Sequence, residues 1–518
     1  MKRFVIPIIL FAISLAVFTF QSSDIGLEFK GDENFYVQSS RQMMASGDWV
    51  TPYYFKKPRF EKPPLYYWIV SSFYKTFGMN WGVARLPSAI SMSLVVVLAY
   101  LFGLRFFNRD TGLLAALIMI STIATFRYAR LVLPESFSLL LLCATIYLML
   151  KGSFLPAYIL MGLAVLVKGP VGMILPLFII AGYKYSIGEK KIFEGMGLLR
   201  GLLVVLLISL PWFLIMINIH GKVYIDHVFL RETIQRIGNF DLGSGSFLKM
   251  VLKFFKSIFY FLPVIFIFFL PHSLLVIHAV KETSDTISQK GRYSRGAILS
   301  FVWFFATLIF FTFLGEKHRH YMLLLSLPFS IMVGSYLYGL YSSKRRKIAL
   351  SILISFLLFF FIFEAAKLVM AKEIGGIATI FAGKSYNIEE EDLVGIGSHR
   401  IVAQEAEVYT GHAVERFYYK WPPEMQEECD KENRIALNNT LFGTKQDAFL
   451  LISRRDYEKY ATEANKKRLT IIDKGYMYSK GAAISDVLNT LRRLDREAIL
   501  DLFREEVYFV TNKDDYVI

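Results

Sequence analysis

Long apolar segments recur along this chain and decide what it can fold into. A helix of about 20 apolar residues crosses a hydrocarbon core of roughly 30 Å, and about eleven segments of this kind are present. They cover residues 4–20, 86–107, 111–129, 132–150, 154–168, 170–185, 198–219, 256–280, 297–314, 321–341 and 347–371. Hydrophobic residues make up 54% of the 518 residues, and the mean hydropathy is +0.43, both well above soluble-domain values. The sequence therefore predicts an all-α polytopic membrane domain with about 11–13 transmembrane helices.

Basic residues in the connections predict which helix ends face the cytoplasm. Lysine and arginine concentrate in one alternating set of connections, and the positive-inside rule places this set in the cytoplasm with Lys2 and Arg3. The set comprises Arg105, Arg109, Lys151, Lys184, Lys190, Lys191, Lys281, Lys290, Arg292, Arg295 and residues 344–347. We expect the first apolar segment to be retained, because QSSD at 21–24 offers no small-x-small cleavage site. The loops 21–85 and 220–255 and the C-terminal region then lie on the periplasmic side of the inner membrane.

Cations on the predicted periplasmic side break this rule. Examples are Lys56, Lys57, Arg59, Lys62, Arg127, Arg130, Arg231, Arg236 and Lys317. Because such cations work against insertion, their presence indicates another benefit, and neutralising a phosphate is the plainest one. The alternative is that each side chain snorkels to a headgroup. The net charge of +15 would suggest nucleic acid for a soluble chain, but cytoplasmic loops and anionic lipid explain it here, so we expect no nucleic-acid partner.

The first periplasmic loop carries the densest group of polar residues, at 31–64. NFYVQSSRQMMAS (34–46) has helical spacing of its apolar residues and predicts a short amphipathic helix along the membrane interface, ended by Gly47. Asp32 before it can be a catalytic acid or an ordinary helix cap. Pro63 and Pro64 restrict the backbone ahead of the next helix, so Glu61 and Lys62 are expected on a stiff segment. The alternative for Glu61 and Lys62 is a weak surface ion pair.

Three later turns on the same side add charge. Glu135 opens an apolar segment, either as a helix-start residue that favours the dipole or as a second acid facing the cavity of Asp32. Lys168 stands at the next turn, before Gly169-Pro170. His318 and His320 are two residues apart, and without a third ligand we interpret them as interfacial histidines rather than metal ligands.

Four motifs resemble one family. The order GDEN-Y…MMASGDWVTP…PRFEKPPLYYW…ARLPSAI (31–90) is similar to the first outward loop of the ArnT-like aminoarabinose transferases. These belong with the dolichyl-phosphate-mannose–protein mannosyltransferases among the GT-C glycosyltransferases. ARLVLPES (129–136), LVKGPVG (166–172) and EKHRHYMLLLSLP (316–328) match in order, so the resemblance spans roughly the first 340 residues.

The resemblance implies transfer of a sugar from a polyprenyl-phosphate carrier to an envelope acceptor on the outer face of the membrane. The membrane lipids that surround the donor and the acceptor are expected partners as well. Lipid A or a related glycolipid, or a protein hydroxyl, is the expected acceptor. The residues that it implies are Asp32 and Glu135 as catalytic acids, Lys62, Arg236, Lys317 and Tyr321 at the donor phosphate, and Glu33, Tyr36, Arg59 and Glu61 beside them.

Two features depart from the family pattern. The family's usual acid at position 135 is Asp, and Asn34-Phe35-Tyr36 stands where Pro-Arg-Tyr is frequent, so one phosphate-side cation is missing. Some relatives hold a divalent metal between the EKP acid and a histidine of the middle loop, here Glu61 with His220 or His227. No other cofactor is expected, because the donor carries its own leaving group and the sequence has no P-loop or strand-borne GxGxxG.

The chain after about residue 372 changes character. DAFLLIS (447–453), RRDYEKYATEANKK (454–467) and RLTIIDKGYMYS (468–479) predict strand, helix and strand. SDVLNTLRRLDREAILDLFREE (485–506) predicts a charged amphipathic helix. We therefore expect two domains, a transmembrane domain over 1–372 and a small periplasmic α/β domain over 373–518.

A transporter or flippase of an anionic lipid-linked substrate is the rival interpretation. Transporters tend to place ionisable groups near the bilayer midplane and to contain paired repeats. Here the acids and cations gather at helix ends, and no internal repeat is apparent. The sequence favours the transferase and names neither the sugar nor the acceptor.

Overall fold

The computed structural model divides into two compact units. It describes residues 2–20, 22, 31–54, 57–228, 247–289, 291, 293–313, 317–342, 351, 354–362, 365, 393–396, 414–416, 448–460, 469–478 and 504–512. One unit comprises Met1–Ser23 and Tyr36–Ile362, and the other comprises Asp24–Phe35 and Phe363–Ile518. The domain boundary at 372/373 stays a prediction, because residues 366–392 lie outside the described part.

Helices build the first unit. They are α1 (Lys2–Thr19), α2 (Gly31–Ser46, whose start belongs to the other unit), α3 (Leu65–Phe77), α4 (Trp81–Phe106), α5 (Arg109–Ile120), α6 (Ile123–Ala129), α7 (Glu135–Leu150), α8 (Phe154–Lys168), α9 (Val171–Ser186), α10 (Leu198–Ile225), α11 (Phe247–Phe268), α12 (Val276–Ser288), α13 (Ser294–Phe313) and α14 (Ser326–Ser342). Short 3-10 helices, His272–Leu275 and Arg319–Leu325, precede α12 and α14, and a two-stranded ribbon pairs β1 (Tyr53–Tyr54) with β2 (Lys57–Pro58). The predicted helical membrane architecture is confirmed.

Several of these helices can cross a membrane. Four are long and apolar enough by themselves, namely Trp81–Phe106, Leu198–Val228, Ser294–Phe313 and Arg319–Leu340. Two bent pairs raise the number to six, and four more apolar helices of 10–17 residues are Phe4–Thr19, Glu135–Leu150, Phe154–Lys168 and Val171–Ser186. The protein is thus a multi-pass membrane protein, and the count of about eleven spans stays a prediction.

Two segments that the sequence predicts as single helices are broken. The chain bends by 64° between Ile120 and Ile123, and by 116° between Phe268 and His272. Polar groups at the two breaks form hydrogen bonds with each other. Ser121 Oγ and His272 Nε2 lie 2.8 Å apart, and Ile123 N–H donates to the Leu270 carbonyl at 3.1 Å. Backbone groups freed inside a membrane domain need such partners.

Small residues allow α4 and α5 to pack closely. A Cβ at Gly103 would lie 2.4 Å from Gly112 Cα, so neither position has room for a side chain. Close approach through small residues is a common means by which helices associate in lipid.

The helix α2 packs inside the protein, and the prediction that it lies along the membrane interface is wrong. All residues from Tyr36 to Ser40 are buried, whereas an interfacial helix keeps one polar face in water. It packs against α3, where Ser71 Oγ donates to the Ser40 carbonyl at 3.1 Å. Its predicted end is confirmed, since Gly47 adopts φ 72° and its N–H donates to Met43 O.

The second unit contains a five-stranded sheet. Its strands are β3 (Leu393–Ile396), β4 (Val414–Arg416), β5 (Ala448–Ser453), β6 (Thr470–Tyr478) and β7 (Arg504–Thr511), in the order β4-β3-β5-β7-β6. The strand β3 runs parallel to β4 and β5, and β7 runs antiparallel to β5 and β6.

The sheet carries one short helix, α15 (Arg454–Tyr460). It follows β5, and Tyr457 packs among Leu450, Ile452 and Val510. The predicted strand–helix–strand order is confirmed. Most of the helix predicted for 485–506 lies outside the described residues, and its last residues, Arg504–Glu506, belong instead to β7.

Candidate active site

A buried carboxylate lies where three helix ends meet. Glu135 stands in the first turn of α7 and is 7% exposed. Its Oε1 accepts a hydrogen bond from Lys168 Nζ at 3.2 Å and lies 3.7 Å from His320 Nε2. A buried charge is tolerated when it is paired, and Lys168 supplies the pairing cation.

Neither Lys168 nor His320 is among the predicted site residues. Lys168 is the last residue of α8, where Gly169 adopts φ 74° and ends the helix. His320 is 23% exposed and its Nε2 approaches the Glu135 carboxylate, so it has a partner within the protein, and its position at the membrane interface stays a prediction. Both residues stand in motifs that the sequence marks, LVKGPVG and EKHRHY. The sequence signal that could have identified both residues is an ionisable side chain at the end of a predicted helix.

A tyrosine cluster connects this carboxylate to the first loop. Tyr36 stacks on Tyr67 with ring centroids 5.1 Å apart and meets Tyr66 edge-on at 5.5 Å. Burial raises the pKa of Tyr36 well above its usual range, and Tyr67 and the Glu135 carboxylate raise it further. Tyr36 therefore remains a neutral phenol near Glu135 and can donate a hydrogen bond.

Arg59 and Glu61 form the other side of the cluster. Arg59 Nε donates to the Tyr67 hydroxyl at 3.0 Å, and its Nη1 lies 3.7 Å from Glu61 Oε2. Burial lowers the pKa of Arg59, but Tyr67 and Glu61 outweigh it, and the net shift is upward. Arg59 is therefore a fixed cation. Lys62 follows in the half-buried turn before α3.

Val50, Thr51 and Phe60 of the first loop contact α10. Trp212 Nε1 donates to the Val50 carbonyl at 2.9 Å, and Thr51 Oγ1 lies 2.9 Å from His220 Nε2. The Phe60 ring contacts three rings in the same region, with centroid distances of 5.0 Å to His220, 5.3 Å to Tyr224 and 5.8 Å to His227. We call the set of Phe60, His220, Tyr224 and His227 the aromatic clasp.

The clasp region is also where the resemblance implies a metal. His227 Nε2 is buried and makes no hydrogen bond, but Glu61, His220 and His227 do not converge. Within the described ranges, no three His, Cys, Asp or Glu side chains group in a way that can hold a metal ion. The metal at Glu61 stays a prediction, and we derive no step through it.

Lys317 and Tyr321 lie beside His320. Lys317 Nζ donates to the carbonyl of Thr312 at 2.6 Å and is 3.4 Å from that of Phe311, so it caps the end of α13. Tyr321 stacks on Phe311 at 4.4 Å and meets the His320 ring at 4.8 Å. The structure thus brings Tyr321 close to the Glu135 cluster. Lys317 has a capping role that the sequence did not indicate, and phosphate binding by it stays a prediction.

Three predicted site residues belong to other parts of the chain. Asp32 and Glu33 lie in the first turn of α2, within the second unit, with Asp32 exposed and Glu33 fully buried. Arg236 lies outside the described residues. The roles of all three stay predictions.

Arg130 shows a different use for a cation on the predicted periplasmic side. It is 5% exposed, donates to the Phe20 carbonyl and lies over the Phe126 ring at 4.8 Å. Arg85, 1% exposed, similarly donates to the Ser22 carbonyl at 2.7 Å. These two arginines bind the chain just after α1, so neither a phosphate nor a headgroup is needed to explain them.

Known proteins match this chain in sequence. A profile described as dolichyl-phosphate-mannose-protein mannosyltransferase matches residues 61–215, and one for a family of unknown function matches 239–369. An uncharacterised protein of Aquifex aeolicus is 30% identical over 358 residues, covering 68% of this chain and 67% of that protein. Undecaprenyl phosphate-alpha-4-amino-4-deoxy-L-arabinose arabinosyl transferase 1 of Pseudomonas fluorescens is 30% identical over 368 residues, covering 67% of this chain and 62% of that enzyme. The chain thus spans 62% or less of the named transferases' length.

Solved structures share its fold. ArnT from Cupriavidus metallidurans bound to undecaprenyl phosphate superposes with a TM-score of 0.64 at 20% identity, covering 98% of both chains. The Archaeoglobus fulgidus oligosaccharyltransferase, solved with zinc and sulfate, gives a TM-score of 0.54 at 12% identity, covering 91% of this chain and 72% of that one. The chain is therefore similar in sequence to the undecaprenyl-phosphate aminoarabinose transferases and shares the fold of ArnT.

Proposed function

We propose that this protein transfers a sugar from a polyprenyl phosphate, such as undecaprenyl phosphate, to an acceptor in the cell envelope. The acceptor is lipid A, a related glycolipid or a protein hydroxyl. The observation that carries the proposal is the buried Glu135, paired with Lys168 beside the Tyr36–Arg59 cluster. A charged and aromatic group of this kind at helix ends suits an amphiphilic donor whose phosphate lies at the membrane surface.

The proposed reaction is a displacement at the anomeric carbon. The acceptor oxygen forms the new bond to that carbon, and the bond from the carbon to the donor phosphate oxygen breaks. The acceptor proton passes to a carboxylate, and we assign this task to Asp32, which is exposed. The released polyprenyl phosphate gains one negative charge, and the groups proposed to stabilise it are Lys62, Arg236, Lys317 and Tyr321.

We assign Glu135 a second catalytic role. Because its Oε1 already accepts from Lys168, it is suited to holding the acceptor and the Tyr36 hydroxyl in place. Arg59 fixes the Tyr67 hydroxyl and lies beside Glu61, which keeps the segment before Lys62 in one arrangement. A site built this way is ordered before the substrate enters.

We further propose an orientation in the inner membrane, with a cytoplasmic N-terminus and a periplasmic site. The basic residues of the other connections support this orientation. The proposed reaction needs no further reactant, because the donor supplies the sugar and the leaving phosphate, and the acceptor supplies the oxygen and the proton.

The test uses purified protein with synthetic polyprenyl-phosphate sugars and an envelope extract, and mass spectrometry of the products. Transfer predicts an acceptor heavier by one sugar residue and an equal amount of free polyprenyl phosphate. The Glu135→Gln variant should make neither product. A flippase would instead move the intact lipid-linked sugar across a proteoliposome membrane, with no new covalent product, and that outcome would reject the proposal.

A further inference from the structure

The loop between α9 and α10 lines an open depression at the other end of α9 from Lys168. Its volume is about 510 Å³. The residues that line it are Lys184, Glu189, Lys190, Lys191, Glu194 and Gly195. None of them takes part in the proposed transfer, and the sequence predicts the loop on the cytoplasmic side.

The loop has a defined backbone. Glu189 N–H donates to the Lys184 carbonyl at 3.0 Å, and Met196 N–H donates to Phe193 O at 3.3 Å. Met196 is 1% exposed, and its carbonyl accepts from the Tyr158 hydroxyl at 2.8 Å, which ties the loop to α8. A ligand that binds here therefore meets a surface already arranged, and little ordering entropy opposes binding.

The lining carries one excess positive charge. Lys184 pairs with Glu189 at 3.0 Å, and Lys191 pairs with Glu194 at 2.8 Å. Lys190 is exposed, and within the described ranges it forms no ion pair with a carboxylate. Three ammonium groups against two carboxylates leave a charge of +1, which matches the single negative charge of a phosphodiester.

Exposed apolar side chains flank the charged lining. Tyr185 is 75% exposed, Phe193 is 40% exposed and Leu199 is 74% exposed. The loop leads directly into Leu198–Val228, one of the four long apolar helices. Aromatic rings beside lysines at the end of a membrane span are typical of the headgroup level. This apolar surround suits a lipid, whereas a free anion would gain nothing from it.

We propose that this loop binds the phosphodiester of a membrane phospholipid, with Lys190 as the principal contact. The acyl chains would lie along the exposed apolar residues of α9 and α10. This proposal does not depend on the transfer reaction, because it concerns a separate surface and its test measures lipid binding.

The test titrates phosphatidylglycerol into delipidated protein in detergent and counts bound lipid by native mass spectrometry. One lysine near a lipid surface contributes about fivefold in affinity, so Lys190→Gln should weaken the tightest binding by about that factor. The matched control is Lys75→Gln, which removes one charge from the exposed last turn of α3 and should leave the affinity unchanged.

Three further ligands separate the chemistries. Phosphatidylethanolamine shares the phosphodiester and should bind with the same dependence on Lys190. Diacylglycerol lacks the phosphate, and equal binding of it would overturn the proposal. Inorganic phosphate lacks the acyl chains. If it displaced the lipid at equal concentration, the assignment to a lipid would be overturned. An equal loss of affinity in Lys75→Gln would overturn it as well.

Discussion

At the scale of single residues, the buried Glu135 carboxylate is paired by side chains that come from other elements. Lys168 supplies the close contact at 3.2 Å, and His320 adds a second at 3.7 Å. Removing one partner from a buried pair leaves an uncompensated charge, which costs more than removing both. The pair is therefore testable by stability as well as by turnover.

Lys168→Met should destabilise the protein by about 3 kcal/mol, because the Glu135 carboxylate would lose its nearest cation. Adding Glu135→Gln to that variant should recover part of the loss, since the remaining side chain is neutral. Thermal unfolding of the two variants in detergent measures this, with Lys75→Met as the exposed control. Equal unfolding temperatures for the wild type and Lys168→Met would show that the contact does not stabilise the fold.

Asp32→Asn should abolish transfer and leave folding and donor binding nearly intact, because the charge is lost at constant shape. A general base contributes roughly 10²–10⁴-fold to a rate, so turnover should fall by about that factor. If Asp32 acted only as a helix cap, Asn would serve equally well. Near-normal turnover of the variant in the mass-spectrometric assay would reject the catalytic role.

Lys62→Ala should weaken donor binding by about 1.5–3 kcal/mol, as expected for a lost charge-assisted hydrogen bond to the phosphate. A lysine that only snorkels to a headgroup should cost almost nothing when truncated. Donor affinity and transfer rate are compared with those of Lys75→Ala, a cation of the same loop outside the proposed site. Small and equal effects in both variants would move the phosphate site elsewhere.

At the scale of elements, length and apolarity identify most helices, but they do not reveal the breaks. The segment 256–280 is mostly apolar in sequence, with Pro271, His272 and Ser273 near its middle, and the helix ends just before them, at Phe268, where the chain bends by 116°. The bend depends on partners from another element, Ser121 and Ile123, which local sequence cannot show. For α2 the helix and its end were predictable, whereas its burial depends on packing against α3.

The candidate site was predictable to a similar degree. Motifs indicated Glu135, Glu61 and Tyr36, because charged and aromatic residues interrupt apolar surroundings there. Lys168 and His320 needed the fold, since Lys168 is 33 residues from Glu135 and His320 is much further along the chain. Lys317 illustrates the opposite case, in which an apparent phosphate ligand also serves as a helix cap.

The aromatic clasp yields a prediction at this scale. Phe60→Ala should weaken donor binding about tenfold, because the ring fastens the segment that ends in Glu61 and Lys62 to α10, and misplaced binding groups lose affinity. Phe60→Tyr should keep most of the ring contacts and most of the affinity. Phe77→Ala, at a ring that is 60% exposed, is the control. Unchanged donor affinity in Phe60→Ala would mean that Lys62 is held without the clasp.

At the scale of the whole molecule, the predicted orientation in the membrane depends on where the basic residues lie along the chain. Basic residues at 184–191 and 281–295 lie at the opposite ends of helices from Glu135 and Lys168 in the predicted topology. The arginines at 85 and 130 satisfy carbonyl groups within the protein. Those cations therefore do not count against the predicted orientation.

Cysteine labelling tests the orientation directly. In a background with Cys143 and Cys429 replaced by serine, single cysteines are placed at Lys75, Lys190 and Arg319, all exposed positions. A membrane-impermeant maleimide added to intact spheroplasts should label positions 75 and 319, because the predicted topology puts both in the periplasm, and should leave 190 unlabelled until the membrane is opened. Three predicted spans separate 190 from 319, so the two must differ if each span crosses once. Labelling of 190 and 319 under the same condition would overturn both the orientation and the periplasmic placement of the proposed site.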